Sequence, residues 1–449
     1  MVEITKEMLE QLLEDKDVRK IIEIFDEYNI VDLAEIVNEL SLGSTIDLMR
    51  ILPSIHGGEL FSYLDINLQK GILDALDPQR IKMIMDQLFS DDIVDFLKEL
   101  PDQIQQKVMD SIEASDKQEI HTLLSYEENT AGAMMSTDFV ELAQEDTIEK
   151  AMKKIKAQRK IAETVNYCYI TDTHGVLVGC ISLRDILFAP SNSLIGDVME
   201  NDVISVKVNE DQEEVTRTIQ KYDFTIVPVV DPSNRLVGVI TFDDVIDVIQ
   251  EEATEDIHKM GGIMPVEDSY LNASPLTMAK SRLVWLLVLM VSYVISSLII
   301  TKNNELLTLV PSLITFVPML MSTAGNAGSQ SSAMTIRAIT VDDLTMKDFP
   351  KVFMKELGVA AICGAILCVV NTLRIVLFVD GMGLDIAITV SLTIFFVVIL
   401  SKLLGGFLPL FALSIKQDPA AMASPLITTA VDVLSLLVYF TLARVFLGV

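Results

Sequence analysis

Residues 419–449 are PAAMASPLITTAVDVLSLLVYFTLARVFLGV, an apolar run long enough to cross a bilayer as one helix. Asp432 lies in the middle of this run. In a helix that starts near Pro419, its carboxylate is about 20 Å along the axis, near the bilayer midplane. A lone charge there costs about 2.5–3.5 kcal/mol, so it needs water, a partner or a cation. One alternative is a buried ion pair with Lys402 or Arg374, the basic residues deep in other apolar runs.

Four more apolar runs precede this one. Each is about 18 residues long or longer, the length that separates a spanning helix from a buried core helix. The second half of the chain therefore predicts five spanning helices, near residues 283–300, 306–333, 357–379, 386–413 and 420–447.

Basic residues flank these runs asymmetrically. Lys302 and Arg444 lie on one side, and the others fall on the opposite side: Lys280, Arg282, Arg337, Lys347, Lys351, Lys355 and Lys416. The positive-inside rule then predicts a multi-pass protein of the cell (inner) membrane, with a cytosolic N-terminal half and the C-terminus outside. The acidic start, MVEITKEMLEQLLEDKD, has no apolar stretch, so we expect no cleaved signal peptide.

The two halves of the chain differ in charge. Residues 271–449 carry 9 acidic and 11 basic side chains, which leaves 55 acidic and 23 basic side chains in residues 1–270. A strongly acidic, water-exposed half thus precedes a nearly neutral apolar half, and two separate chemistries are expected. The four cysteines form no CxxC pair, which argues against a disulfide framework or a zinc site.

Residues 1–134 predict an all-α, solenoid-like domain. Short segments such as LLEDKDVRKIIEIFDEY and DDIVDFLKEL place apolar residues at i, i+3 and i+4 and show no strand pattern. Several begin with acidic residues that suit a helix N-terminus. Stacked helical hairpins are expected.

Residues 135–249 contain the same pattern twice. NYCYITDTHGVLVGCISLRDIL at 166–187 parallels TIVPVVDPSNRLVGVITFDDVI at 225–246. This segment resembles a tandem pair of CBS domains, which implies an α/β unit. The resemblance implies nucleotide contacts at Ser182, Arg184 and Asp185 in the first copy, with Arg184 suited to phosphate. In the second copy it implies contacts at Thr241 and Asp244. The alternative is a pair that serves only dimerisation and coupling.

Residues 243–270 begin as a long acidic helix that connects the CBS pair to the membrane half. Its carboxylates lie three or four residues apart and repel one another, which favours bound cations over a merely solvated face. They are Asp244, Asp247, Glu251, Glu252, Glu255 and Asp256.

The second apolar run contains PMLMSTAGNAGSQSS at 318–332, small and polar at membrane depth. Small residues let helices approach closely, and amides in lipid need partners. This segment, the DPA at 418–420 and the spacing from Pro425 to Asp432 together resemble the MgtE family of magnesium channels. The resemblance covers essentially the whole chain. It implies four parts: residues 1–134, 135–249, 243–270 and the five-helix bundle at 271–449.

The resemblance also implies a homodimer whose pore lies between the second and fifth spans. Asp432 of both copies would bind hydrated Mg²⁺ there, helped by Asn326 and Thr428. The predicted spans contain no His, and carboxylates, amides and hydroxyls suit a hard cation that keeps its water.

The same family implies a gate that closes when cytosolic Mg²⁺ bridges acidic residues. It further implies regulatory ligands in three regions and at the pore mouth: Glu59, Asp91 and Asp95; Glu213, Asp223, Asp244 and Asp247; Glu252, Glu255 and Asp256; and Asp418. If ATP binds, it is expected to act only as a regulatory ligand. No nucleic-acid partner is expected.

Other classes of protein fit less well. A membrane enzyme would show a motif such as HExxH or GxSxG, and an ATP-driven pump would show a phosphate loop GxxxxGK[ST]; none occurs. An anion channel would require basic residues along its path. A non-transporting sensor anchored by the spans remains the main alternative, and it would not need Asp432.

Overall fold

The computed structural model describes residues 4–158, 162–266, 270, 273–379, 382–422 and 424–448. The chain divides into two compact units, residues 1–249 and 250–449. The first contains an all-α part and two small sheets, and the second is helical.

The N-terminal part consists of short helices that pack in a stacked series around one apolar core. Within residues 4–124 they are α1 Lys6–Glu14, α2 Val18–Glu27, α3 Ile30–Asn38, α4 Leu42–Ile51, α5 Ser54–Ser62, α6 Ile66–Ala75, α7 Pro78–Met85, α8 Ser90–Glu99, α9 Asp102–Ser111 and α10 Ala114–Leu123. Most are only two or three turns long, so their stability comes from packing the apolar face rather than from the isolated helix.

Some N-terminal helix limits differ from the sequence prediction. The segment around residues 12–28 is two helices instead of one, because Lys16 adopts a left-handed conformation with φ of 55°. Asp17 then caps α2 by accepting a hydrogen bond from the backbone N–H of Lys20. The weakly periodic segments that form α4 and α10 were not predicted as helices.

Two similar αβ modules follow. The first contains α11 Ala131–Met134, β1 Glu141–Ala143, α12 Ile148–Gln158, β2 Tyr167–Thr171, β3 Leu177–Ser182, α13 Leu183–Phe188 and α14 Ile195–Val198. The second contains β4 Val206–Lys207, α15 Gln212–Tyr222, β5 Ile226–Val230, β6 Leu236–Thr241 and α16 Phe242–Met260. In each, the short first strand pairs parallel to the middle strand, and the last strand pairs antiparallel.

The two modules contact each other through their matching turns. Leu177 N–H donates to the carbonyl of Asn234, and Leu236 N–H donates to that of Gly175. This reciprocal pairing explains why the two sequence copies keep the same register: a shift in either turn would break both bonds.

The second unit contains α17 Pro275–Lys302, α18 Asn304–Leu309, α19 Val317–Asp342, α20 Phe349–Phe378, α21 Leu384–Ser414 and α22 Ser424–Leu447. Short 3₁₀ turns precede α19, α20 and α22. Helix α21 is the most enclosed, with contacts to α19, α20 and α22. By length and composition, four helical stretches suit a membrane: Pro275–Lys302, Met346–Phe378, Leu384–Ser414 and Pro425–Leu447.

The sequence prediction of one span over 306–333 is wrong at its start. Helix α18 ends at Leu309, and Val310 has a non-helical conformation before Pro311 opens a 3₁₀ turn. Proline lacks an N–H and disfavours a helical residue before it. Helix α19 itself begins at Val317 and is 26 residues long, but its composition is too polar for it to be among the four membrane-type helices.

The connecting helix also ends earlier than residue 270. Helix α16 stops at Met260, and Gly262 takes a left-handed φ of 66°. A side chain there would collide with Pro425, since a Cβ would lie 2.7 Å from its Cγ and 3.5 Å from the Trp285 ring. The turn that follows α16 therefore lies against Trp285 of α17 and against the start of α22. Residues 267–269 of the predicted connector lie outside the described part of the chain.

Candidate cation sites

Asp432 lies on α22, a helix that packs against α19 and α21. Its side chain is 4% exposed. Within the described residues, its Oδ1 atom is buried and has no hydrogen-bond partner. Buried polar atoms are almost always paired, so this oxygen points to a ligand or to a partner outside the chain.

Neither basic residue considered as an ion-pair partner approaches Asp432. The Lys402 Nζ atom donates to Ser331 Oγ at 3.4 Å, and the Arg374 Nε atom donates to Asn371 Oδ1 at 3.2 Å. Among the described residues, no ion pair includes Asp432. The alternative of a buried Lys402 or Arg374 pair is therefore not what the structure contains.

Helices α19 and α22 meet at glycine positions. A Cβ on Gly325 would lie 3.3 Å from the Thr428 methyl carbon, and one on Gly328 would lie 2.7 Å from Ile427. Glycine thus allows the approach that brings Thr428 to α19. The next residue, Asn326, is exposed on α19 within the single chain.

Three acidic side chains of the first unit meet in one cluster. Asp91 in the first turn of α8, Asp244 in the first turn of α16 and Glu163 before β2 each offer an oxygen within 4.8 Å of the others. Asp91 is 8% exposed, and its Oδ1 and Glu163 Oε2 have no hydrogen-bond partner among the described residues. Three convergent carboxylates of this kind suit a hard divalent cation.

Burial and mutual repulsion raise the pKa of this cluster. Burial, then the Glu163 and Asp244 carboxylates, raise the pKa of Asp91 to about 9. Burial raises the pKa of Glu163 to about 7, and it also raises the pKa of Asp244. Either protons or a cation must therefore neutralise the cluster near neutral pH.

The sequence did not identify Glu163. It lies outside any helix or strand, and its backbone N–H donates to the Asp138 carbonyl. No periodic pattern marks such a residue, so only the fold brings it to Asp91.

The remaining acids predicted in this unit do not join that cluster. They are exposed: Glu59, Asp95, Glu213, Asp223 and Asp247. Asp95 pairs with Lys98 at 3.1 Å, and Glu213 pairs with Arg217 at 3.2 Å. Asp95 also lines a cavity of about 370 Å³ with three further acids: Asp65, Asp92 and Glu99.

In the second unit, a lysine joins the connecting helix to the segment before α22. The Lys259 Nζ atom contacts Glu255 Oε1 and Asp418 Oδ2, each at 2.6 Å. Burial, then the Asp418 charge, raises the pKa of Asp256 to about 6. Glu252 is half-buried on the same helix. The predicted acids Glu255 and Asp418 are thus brought together, but an ammonium group lies between them.

The two predicted nucleotide turns have the same local geometry. Ser182 caps α13: its Oγ accepts from the Asp185 N–H at 3.1 Å and donates to the Asp185 carboxylate. Thr241 Oγ1 donates to Asp244 Oδ2 at 2.5 Å. Asp244 therefore already serves the acidic cluster, whereas Asp185 and Arg184 are exposed.

Comparison with known protein families covers both units. The family described as "MgtE: Divalent cation transporter" matches residues 317–442, and its intracellular N domain matches residues 28–129. CBS domains match residues 131–192 and 195–251.

Full-length relatives extend this match. "Magnesium transporter MgtE" of Thermus thermophilus is 34% identical over 443 residues, covering 98% of each chain. The protein of the same name from Bacillus subtilis is 30% identical, covering 98% of this chain and 99% of that one. These matches define a membrane transport protein for divalent cations and not an enzyme. The chain belongs to the MgtE family.

Solved structures resemble the first half of the chain. One is the crystal structure of the soluble part of a magnesium transporter, at 33% identity with a TM-score of 0.52; it covers 55% of this chain and 98% of that one. Another is the cytosolic domain of the Mg²⁺ channel MgtE in complex with ATP, at 34% identity and a TM-score of 0.50, covering 54% and 98%.

Proposed function

We propose that this chain is a Mg²⁺-selective channel that imports Mg²⁺ across the cell membrane. One observation carries the proposal: the buried Asp432 carboxylate on a membrane-type helix, with an oxygen that makes no hydrogen bond in the described chain. A permeant cation supplies the missing partner. The names of the full-length relatives support Mg²⁺ as that cation.

In this proposal the pore forms between two copies of the chain. Asp432 of each copy holds the hydrated ion, and Thr428 and Asn326 line the path. The exposed Asn326 on α19 supports a face that meets a second copy. Helix α19 completes a five-helix bundle over residues 271–449, with the first half of the chain in the cytosol and the C-terminus outside.

We propose that cytosolic Mg²⁺ closes the pore. The domains at 1–134 and 135–249 and the connector at 243–270 would come together when ions bridge their acids: Glu59, Asp91, Asp95, Glu213, Asp223, Asp244, Asp247, Glu252, Glu255 and Asp256, with Asp418 at the pore mouth. The unpaired Asp91 oxygen supports this mechanism, because a bound ion stabilises the state that holds it better.

We further propose ATP as a regulatory ligand of the first CBS turn. Ser182, Arg184 and Asp185 would contact it, and the ATP complex of a relative's cytosolic domain supports this assignment. Thr241 and Asp244 form the equivalent second turn, where the acidic cluster with Asp91 and Glu163 includes the same aspartate.

The test is Mg²⁺ entry into proteoliposomes at low cytosolic-side Mg²⁺. We expect the wild type to carry Mg²⁺ and Asp432→Asn to lose at least about 90% of that flux. The neutral amide cannot offset the free-energy cost of moving the cation into the bilayer. Asp385→Asn is the matched control, since Asp385 is exposed in the first turn of α21. Folded, inserted wild type without flux would instead indicate an anchored sensor.

A further inference from the structure

A second buried ionisable side chain lies in the helical unit, and it makes no ion pair with Asp432 among the described residues. Lys402 is 6% exposed near the middle of α21. Its Nζ donates to Ser331 Oγ on α19 at 3.4 Å, and Ser331 Oγ donates to Glu356 Oε2 on α20 at 2.5 Å. One hydroxyl thus bridges an ammonium and a carboxylate on three different helices.

The bridge lies beside a close approach of α19 and α21. Gly405, three residues after Lys402, lies so near α19 that a Cβ would overlap the carbonyl oxygen of Gly328. Gly328 is one turn from Ser331, and the Glu356 Cγ atom lies 3.1 Å from a Cβ position on Gly406. Backbone contact at this crossing resists compression, and the charged bridge resists sliding and rotation.

Helix α19 meets both α21 and α22 at one glycine. A Cβ on Gly328 would lie 2.7 Å from Ile427 of α22 and 3.3 Å from the carbonyl oxygen of Ser401 on α21, and α21 and α22 also contact each other. A rotation of α19 that broke the Lys402 bridge would therefore also move the residues facing α22.

We propose that Lys402 is a positioning residue for cation permeation: bridged by Ser331 to Glu356, it fixes the depth and rotation of α19 against α22. The proposal rests on the proposed Mg²⁺ transport. Glu356 offers a carboxylate opposite the Lys402 amine, so the bridge can lie in the bundle beside a cation path without an unmatched charge.

The test is a double-mutant cycle with Lys402→Met, Glu356→Gln and the combined variant in the full chain. Each single change leaves one charge of the bridge unmatched, so we expect a fall of about tenfold or more in maximal Mg²⁺ flux per folded protein. The half-saturating Mg²⁺ concentration should stay within about twofold, because the ion's own ligands are unchanged. The combined variant should recover to within about threefold of wild type. Lys355→Met, an exposed neighbour on α20, is the control.

Two outcomes overturn the proposal. The first is Lys402→Met with wild-type flux per folded protein, which leaves Lys402 a purely structural role. The second is a combined variant whose loss equals the product of the single losses, which denies the coupling. If a single variant does not fold, the uncharged combined variant decides. Flux near that of the wild type supports the pairing, and flux reduced by about tenfold or more overturns it.

Failure of the proposed transport function can be distinguished from failure of the proposal about Lys402. A folded wild type without flux counts against the proposed function. Thermal unfolding midpoints of the detergent-solubilised variants still test the pair: a combined variant more stable than either single one supports it, and additive losses overturn it.

Discussion

Asp91, in the first turn of a short helix, is repelled by two neighbouring carboxylates. Its carboxylate is buried beside Glu163 and Asp244, and one of its oxygens has no hydrogen bond in the described chain. We predict that Asp91→Asn weakens closure by cytosolic-side Mg²⁺, raising the inhibitory Mg²⁺ concentration about tenfold through loss of one charged ligand. Flux into proteoliposomes at graded Mg²⁺ measures the change.

The matched control for this prediction is Asp47→Asn. Asp47 is an exposed acid that pairs with Arg50 at 3.3 Å in the same helical domain. It should leave the inhibitory concentration unchanged. Equal inhibition of Asp91→Asn and wild type would remove Asp91 from the regulatory site.

Asp146 is a buried acid with a different environment. It is 2% exposed and pairs with Lys150 Nζ at 2.5 Å and Lys154 Nζ at 2.7 Å. Burial alone would raise its pKa, but bonds from both lysines and the Ala143 N–H lower the pKa to about 2. We predict that Asp146→Asn costs roughly 2 kcal/mol of unfolding free energy at neutral pH.

The pH dependence of this difference has a defined sign. Because the folded pKa is below the unfolded one, the stabilisation is complete above about pH 4 and is lost as pH falls towards about 2. Denaturant unfolding of both variants across this range measures it. Glu149→Gln, which breaks an exposed pair with Lys153, should cost clearly less than Asp146→Asn, and a similar loss in both variants would contradict the prediction.

At the scale of single residues, the sequence predicted which acidic residues are candidate ligands better than it predicted which of them lie together. Asp91 and Asp244 do meet, but Glu163 completes their cluster from an irregular segment that has no recognisable pattern. Lys259, which contacts Asp418, was also not predicted, because the spacing of the acidic residues does not indicate a base among them. Long-range contacts of this kind depend on the fold and not on local periodicity.

Among the helices, α6 has an unusual cap. The Lys107 Nζ atom of α9 donates to the carbonyls of Leu73, Asp74 and Leu76, at 2.7–2.8 Å. A cation at a helix C-terminus satisfies free carbonyls and opposes the helix dipole. We predict that Lys107→Met lowers the unfolding free energy by about 2 kcal/mol, measured by denaturant titration.

Lys117→Met provides the comparison for the cap. The Lys117 Nζ atom lies 3.8 Å from Asp110, a long pair with a residue whose side chain is 71% exposed. Its loss should cost less than about 0.5 kcal/mol. A cost for Lys107→Met as small as this would show that the three carbonyls are equally well served by water.

The connecting helix depends on a second lysine contact. Lys259 joins Glu255 of α16 to Asp418, ahead of α22. We predict that Lys259→Met makes closure depend more steeply on Mg²⁺, because the acids then repel until a divalent ion replaces the ammonium. Inhibition curves of proteoliposome flux provide the measurement, with Lys416→Met as an exposed control. An unchanged curve would mean that the ammonium contributes nothing to closure.

The sequence predicted helices well where apolar periodicity was continuous and poorly where a single residue breaks it. Spans near 357–379 and 386–413 correspond to α20 and α21 within a few residues at most ends. The break at Lys16 and the restart after Pro311 depend on backbone geometry that hydropathy does not report. Helix α19, which is rich in small and polar residues, is likewise not apolar enough to be recognised as a span by its composition, although it contacts both α21 and α22.

For the whole molecule, the acidic cluster predicts how stability responds to pH. The pKa values of about 9 for Asp91 and about 7 for Glu163 exceed their unfolded values near 4. The folded state then binds more protons, so stability should fall as pH rises from about 5 to about 9 without divalent ions. Mg²⁺ should raise the unfolding midpoint more near pH 9 than near pH 6. An equal Mg²⁺ effect at both pH values would contradict this.

The charge division of the sequence predicts two parts, and the chain does form two units. Their boundary differs: composition changes at residue 271, whereas packing changes between Ile249 and Gln250, inside α16. A continuous helix can leave one core and join another without any change in its own pattern, so sequence alone does not mark the point.

The close approach of Gly262 to Trp285 has a practical consequence. Trp285 is the only tryptophan in the chain, so its fluorescence comes from a single known place. Indole emission shifts with local polarity, and Gly262, two residues after the connecting helix, lies next to this partly buried ring. A spectrum of the unlabelled protein, excited at the indole band, therefore reports whether Gly262 stays against the ring as solution conditions change.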